Sequence, residues 1–203
     1  MRLFASTTSP YVRKVMAVLH ETGQIDRVEV VLASGSPLAP GSLPLAQNPL
    51  GKIPVLERPD GPALYDSRVI CRYLDDLAGG QLYPPARRIW ESLTLEATAD
   101  GMNDAAVLVL YENRLRGPEG QNPAWREGQW LKVQRALDAL EARWMAHLAA
   151  PVDIGQIALG CALGYLDFRF ADRGWRDGHP ALAAWEARFA ERDSMLATRP
   201  AEA

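Results

Sequence analysis

The spacing of apolar residues changes period partway along this chain, and that change restricts its fold more than any single motif does. In the first third, short β-like runs alternate with stretches of helical spacing, whereas from about residue 87 onward the apolar pattern is helical throughout. Two domains are therefore expected, at 1–77 and 87–203, with 78–86 as the linker. The segment Ala78-Gly79-Gly80-Gln81-Leu82-Tyr83-Pro84-Pro85 suits a linker because glycine and proline interrupt helices and strands alike.

Within the first domain, Arg2 to Ala5 and Val28 to Leu32 read as strands. Between them Val12, Val15, Met16 and Leu19 fall at helical spacing, with Gly23 as the stop, which makes a βαβ unit with a parallel strand pair. Pro37, Pro40 and Pro44 deny a long helix from Ser34 to Pro49, so loop and short turns are expected there. Ile53–Glu57 and Ala63–Tyr65 read as a hairpin, followed by a helix over Ser67–Leu77 with Val69, Ile70, Tyr73 and Leu74 inward. The expected order is βαβαββα, an α/β domain. The second domain reads as all-α, with helices at about 87–115, 124–148, 154–171 and 180–192. Trp125, Trp130, Trp144 and Trp185 fall on apolar faces and are expected in its core.

The 203-residue chain has 22 Lys+Arg against 25 Asp+Glu, a net charge of -3. Such a balance offers no steering toward nucleic acid or an anionic membrane surface, and neither partner is expected. The longest apolar run, Ala105–Tyr111, is far short of the roughly 20 residues a bilayer span needs, and the start of the chain turns polar before a signal-peptide core develops. A cytoplasmic protein is expected. Cys71 and Cys161 lie far apart in helical segments and fit small buried hydrophobes; with three scattered histidines, no metal is expected.

Three segments could carry chemistry. Ser6-Thr7-Thr8-Ser9-Pro10-Tyr11-Val12 joins the first strand to the first helix, with a hydroxyl at the N-cap and proline at the first helical position. Asn48-Pro49-Leu50-Gly51-Lys52-Ile53-Pro54-Val55-Leu56 places a proline at a strand start, where a cis bond would expose the Ile53 backbone to a partner. Asp66-Ser67 opens the next helix, whose free amides would hold a carboxylate as readily as Ser67 could cap the helix. Each segment alone is equally an ordinary helix start or turn.

In this order, and followed by an all-helical domain, the three segments resemble the glutathione transferase family across essentially the whole chain. The resemblance implies a thioredoxin-like first domain in which Ser9-Pro10-Tyr11-Val12 occupies the place of the glutaredoxin Cys-Pro-Tyr-Cys motif, with both cysteines gone. A hydroxyl cannot make mixed disulfides but can donate to a bound thiolate, which favours conjugation. By the same resemblance, the Ser9 hydroxyl faces the glutathione sulfur and the Ile53 amide and carbonyl pair with the cysteinyl backbone. Lys52 approaches the glycine carboxylate, Ser67 receives the γ-glutamyl carboxylate and Asp66 lies near its amino group, where the family usually has Glu. Asp100 matches a position that reaches the γ-glutamyl amine in the neighbouring subunit, implying a homodimer; a solvated helical Asp is the other reading.

Some branches of the family use the hydroxyl at the position of Thr8. Asn103, Asp104, Val107, Leu108 and Tyr111 would wall the electrophile site, with ordinary core packing the alternative for Leu108 and Tyr111. The family usually caps its buried helix with Ser or Thr three residues before an Asp; Asp153 is present, but position 150 is Ala, so a missing cap is expected. The implied activity is conjugation of glutathione, as co-substrate, to small hydrophobic electrophiles. A binding or regulatory protein with little turnover, or a glutathione-dependent peroxidase, are the alternatives.

Overall fold

The computed structural model describes residues 1–202, in two compact units: Met1–Ile89 with the chain from Asp193 onward, and Trp90–Arg192. In the first unit, β1 (Arg2–Ala5) runs parallel to β2 (Glu29–Leu32) and antiparallel to β3 (Val55–Glu57), giving the order β2-β1-β3. β1 alternates with the pleat, Leu3 and Ala5 being buried. The expected hairpin is reduced: Leu56 and Leu64 exchange N–H···O bonds of 3.0 and 2.8 Å, and the pairing extends no further. Pro62 has no N–H to give on that side. The segment 34–49 forms turns without a helix, as its prolines require, so no helix separates β2 from β3.

Helix α1 (Pro10–Glu21) buries Val12, Val15, Val18 and Leu19, and Gly23 behind it takes a φ of +65°, which glycine adopts without strain. It packs against α2 (Ser67–Leu77), whose inward face is Ile70, Cys71 and Leu74. Val69, expected inward, is exposed; the buried stripe lies one residue further along the helix. The Gln24 amide ties the ends of the two helices together, donating from Nε2 to the Leu74 carbonyl at 2.8 Å.

The glycine- and proline-rich segment after α2 is firmly held. The buried Asp75 carboxylate accepts from the N–H groups of Gln81, Leu82 and Tyr83 at 2.9, 2.8 and 3.1 Å. The chain divides just beyond it, at Ile89/Trp90. Helix α8 (Asp193–Ala197) then belongs to the first unit and packs on α1: Ser194 Oγ donates to Glu21 at 2.5 Å, and the Arg13 Nη2 group donates to the Met195 carbonyl at 3.2 Å.

The second unit comprises α3 (Ile89–Leu115, all but its first residue), α4 (Pro123–Arg143), α5 (Met145–Leu148), α6 (Ile154–Phe170) and α7 (Pro180–Phe189). The expected helix at 124–148 is two helices, divided at Trp144. Trp130 and Trp185 are core residues, whereas Trp125 faces outward at the start of α4. At the centre, α6 is buried almost all round. Gly155 lets α3 approach it closely, since a Cβ there would lie 2.8 Å from both the Ser92 carbonyl oxygen and Leu95 Cβ.

The expected missing cap of α6 is corrected by the structure: Asp153 is itself the N-cap, accepting the Gln156 N–H at 3.1 Å. Its other carboxylate oxygen accepts from Ser92 Oγ at 2.5 Å and lies 2.8 Å from His147 Nε2. The helix starts at Ile154, where its apolar spacing put it.

Candidate functional site

The sheet register brings the three candidate segments to one place. Phe4 of β1 pairs with Val55 of β3, so the chain leaving β1 at Ala5 lies beside the chain entering β3 through Ile53 and Pro54. Leu64 pairs with Leu56, and two residues on from it the chain reaches Asp66 at the same end of the sheet. There α1 and α2 both present their N-termini, with the positive ends of their backbone dipoles.

Ser9 is the N-cap of α1, with extended backbone (φ -84°, ψ 122°), and its Oγ accepts the Val12 N–H at 3.3 Å. Its hydroxyl proton goes to no acceptor among the described residues, so it is available to an acceptor above the helix. Thr8 differs, its hydroxyl lying 3.2 Å from the Ser6 hydroxyl, with which it shares a hydrogen bond. Pro10 fills the first helical position, where a missing N–H costs nothing.

The Ile53–Pro54 peptide is cis, as its position suggested. Neither the N–H nor the carbonyl of Ile53 is paired with other backbone, which leaves a donor and an acceptor like those of a sheet edge. The turn ahead of it is set by Asn48, a buried side chain whose role sequence reasoning missed. Its Nδ2 donates to the Lys52 carbonyl at 2.9 Å, and its Oδ1 accepts the Leu50 N–H at 3.0 Å. Lys52 is exposed.

Asp66, and not Ser67, is the N-cap of α2: it is exposed, and its Oδ1 accepts the Arg68 N–H at 3.0 Å, while Ser67 is already the first helical residue. Ser67 follows, only 2% exposed, and its hydroxyl has no hydrogen-bond partner among the described residues. Ser9, Ile53, Asp66 and Ser67, with Lys52 leading in, thus gather at one sheet end: a hydroxyl donor, a free peptide edge and two helix N-termini. That set suits a peptide-like ligand bearing carboxylates and one further anionic atom. Asp100 is in the second unit, on α3, where it is buried and engaged within the chain, unlike a solvated helical Asp. Also on α3, Asn103 is buried while Asp104 and Leu108 are exposed and Tyr111 is half-buried.

Residues 8–77 match the family described as glutathione S-transferase, N-terminal domain, and residues 123–188 match its C-terminal domain. The chain is 32% identical, over the full length of both proteins, to the uncharacterized GST-like protein YibF of Escherichia coli K12. The chain belongs to the glutathione transferase family. A glutathione transferase family member from Pseudomonas fluorescens Pf-5, solved with bound glutathione, is 52% identical and superposes with a TM-score of 0.96 over 99% of each chain. A second structure from that organism, with bound S-(propanoic acid)-glutathione, is 50% identical, with a TM-score of 0.92 over 100% of each chain.

The small mixed sheet with its helices, followed by a helical domain, is therefore the glutathione transferase fold, and its thioredoxin-like half carries all of the gathered residues, while Asp100 belongs to the helical unit. Among the described residues no cluster of three or more His, Cys, Asp or Glu side chains could hold a metal ion. No helix among them is long and apolar enough to cross a membrane.

Proposed function

We propose that this glutathione transferase binds glutathione at the sheet end described above, holds its sulfur as a thiolate with the Ser9 hydroxyl, and conjugates it to small electrophiles. The observation that carries this reading is the Ser9 hydroxyl itself. It stands at the N-terminus of α1 with its proton uncommitted, beside the unpaired Ile53 peptide. Ile53 pairs with the cysteinyl backbone and Lys52 attracts the glycine carboxylate. Ser67 and the first amides of α2 take the γ-glutamyl carboxylate, while Asp66 keeps one oxygen for the amino group.

Lowering a thiol pKa from about 8.5 to about 6.5 requires about 2.7 kcal/mol of thiolate stabilisation. One hydrogen bond to a charged group contributes about 1.5–3 kcal/mol, and a helix N-terminus adds about 0.3–1 kcal/mol. Ser9 keeps its proton throughout as donor. The sulfur attacks the electrophile, and the C–S bond forms as the leaving group departs with its electron pair. The propanoic acid adduct bound by the Pseudomonas relative supports short electrophiles, including ones that carry an acid. A cytoplasmic homodimer, with Asp100 reaching the γ-glutamyl amine bound by the other subunit, completes the reading.

The test is the ultraviolet absorbance of bound glutathione thiolate against pH, in the protein and in Ser9→Ala. A depressed pKa that rises by about 1–2 units in Ser9→Ala is expected from the loss of one charge-assisted hydrogen bond. Binding with an unshifted pKa would instead indicate a binding protein, and a pKa that moves only in Thr8→Ala would transfer the role to Thr8.

A further inference from the structure

Helix α1 carries a buried cation that the Ser9 chemistry leaves unused. Arg13 lies one turn beyond Ser9, with its backbone N–H donating to the Ser9 carbonyl at 3.0 Å, and it is only 7% exposed. Its Nη2 group donates to the Met195 carbonyl of α8 at 3.2 Å, whereas Nε and Nη1 are buried with no hydrogen-bond partner among the described residues. The carboxylates on α1 and on the segments packed against it are Glu21, Asp26, Asp75, Asp76 and Asp193, and none of them pairs with this guanidinium. Asp75 is spent on the backbone of residues 81–83, and Glu21 accepts from Ser194 Oγ. Lys14, the neighbouring cation on α1, is as deeply buried but is engaged within the chain.

An arginine keeps its charge, and a charge withdrawn from water without a counter-ion costs the fold stability. Water satisfies an N–H but does not cancel the charge, and one carbonyl dipole cancels only part of it. The field of Arg13 is therefore left over, and burial protects it from screening by salt. Four residues cover about 6 Å of helix axis, and helical side chains lean toward the N-terminus, so this field is felt at the end of α1 that Ser9 caps.

We propose that Arg13 is an electrostatic partner of Ser9, stabilising the glutathione thiolate through space from one turn behind it while the Met195 carbonyl of α8 fixes the guanidinium. The proposal rests on the Ser9 reading above and deepens it. Arg13 makes no contact with the sulfur: Ser9 supplies the hydrogen bond, and Arg13 supplies positive potential that favours the thiolate over the thiol. Between charges about 10 Å apart in partly buried surroundings, such an interaction lowers the thiol pKa by about 0.5–1 pH unit.

The experiment follows the ultraviolet absorbance of bound glutathione thiolate against pH in the protein, Ser9→Ala, Arg13→Gln and Arg13→Lys. Arg13→Gln keeps an amide donor for the Met195 carbonyl and removes the charge, whereas Arg13→Lys keeps the charge and loses the planar fork. The thiol pKa should rise by about 0.5–1 pH unit in Arg13→Gln and stay within about 0.3 of the protein's own value in Arg13→Lys. Calorimetry at about pH 8 should show glutathione binding weakened about three- to tenfold in Arg13→Gln, with S-methylglutathione, which has no thiol to ionise, held within about twofold. Should Arg13→Gln not fold, Arg13→Met is a second neutral variant read in the same way. Equal weakening of both ligands, or a pKa that rises alike in Arg13→Gln and Arg13→Lys, would make Arg13 a structural tether and overturn the proposal. A depressed pKa that is lost in Ser9→Ala but unmoved in Arg13→Gln also overturns it and leaves the Ser9 reading standing. An unshifted pKa in the protein itself, or no glutathione binding, brings down both.

Discussion

At the scale of single residues, the chemistry turns on which polar groups are already spent inside the chain. Ser9 and Thr8 are neighbours of equal chemical promise in sequence; in the structure the Thr8 hydroxyl shares a hydrogen bond with Ser6, while the Ser9 hydroxyl accepts the Val12 N–H and donates to no group among the described residues. Ser9, cis-Pro54 and the Asp66–Ser67 pair were legible because a helix cap and a strand-initiating proline announce themselves locally. Asn48 was not, since an Asn before Pro reads as an ordinary turn whether or not its side chain braces a binding loop. Ser67→Ala and Asp100→Asn should each weaken glutathione affinity several-fold by calorimetry, an effect of about 1 kcal/mol. An unchanged dissociation constant in either variant removes that residue from the binding set.

Tyr165 makes a further prediction through its pKa. Burial raises it from the usual 10.0 to about 12, so the unfolded chain releases this proton at lower pH than the folded protein does. The resulting stability is full below pH 10 and is lost as pH rises toward 12. Denaturation measured across that interval should show a shallower alkaline decline in Tyr165→Phe. An identical slope would mean that the phenol ionises equally in both states.

At the scale of elements, register decides what sequence spacing cannot. Helical periodicity located α2 and α4 but turned Val69 and Trp125 inward, because an apolar residue at the margin of a stripe is assigned a side only by its neighbours in space. The hairpin was drawn as two full strands, yet only Leu56 and Leu64 pair. The start of α6 was placed correctly at 154, but its cap was not recognised: the Asp153 side chain accepts the Gln156 N–H, and its contacts with Ser92 and His147 come from elements remote in sequence. Asp153→Ala should therefore destabilise the protein by about 2–4 kcal/mol, a lost cap together with the hydrogen bonds that the same carboxylate makes to Ser92 and His147. A urea midpoint shifted by less than the equivalent of about 1 kcal/mol would mean that α6 does not depend on this cap.

At the scale of the whole molecule, the change in hydrophobic period correctly announced an α/β part and an all-α part. It did not announce that the chain comes back. Helix α8 has five residues, too few to show a period, and its destination is set by contacts with α1 that no local pattern encodes. Ending the chain at Arg192 strips the Arg13 guanidinium of the Met195 carbonyl and Glu21 of the Ser194 hydroxyl, and uncovers the apolar surface that Met195 fills. Thermal unfolding of that truncated form should begin at least about 5 °C lower, and an unchanged midpoint would show the return of α8 to be dispensable.

The same return sets a schedule for the newborn protein. The helix that carries Ser9 is made well before the segment that packs against it, and the whole of Trp90–Arg192 is translated in between. The ligand-bearing half can begin to gather its sheet early, but its seam with α8 closes only once a second folding unit has been threaded between the two sides.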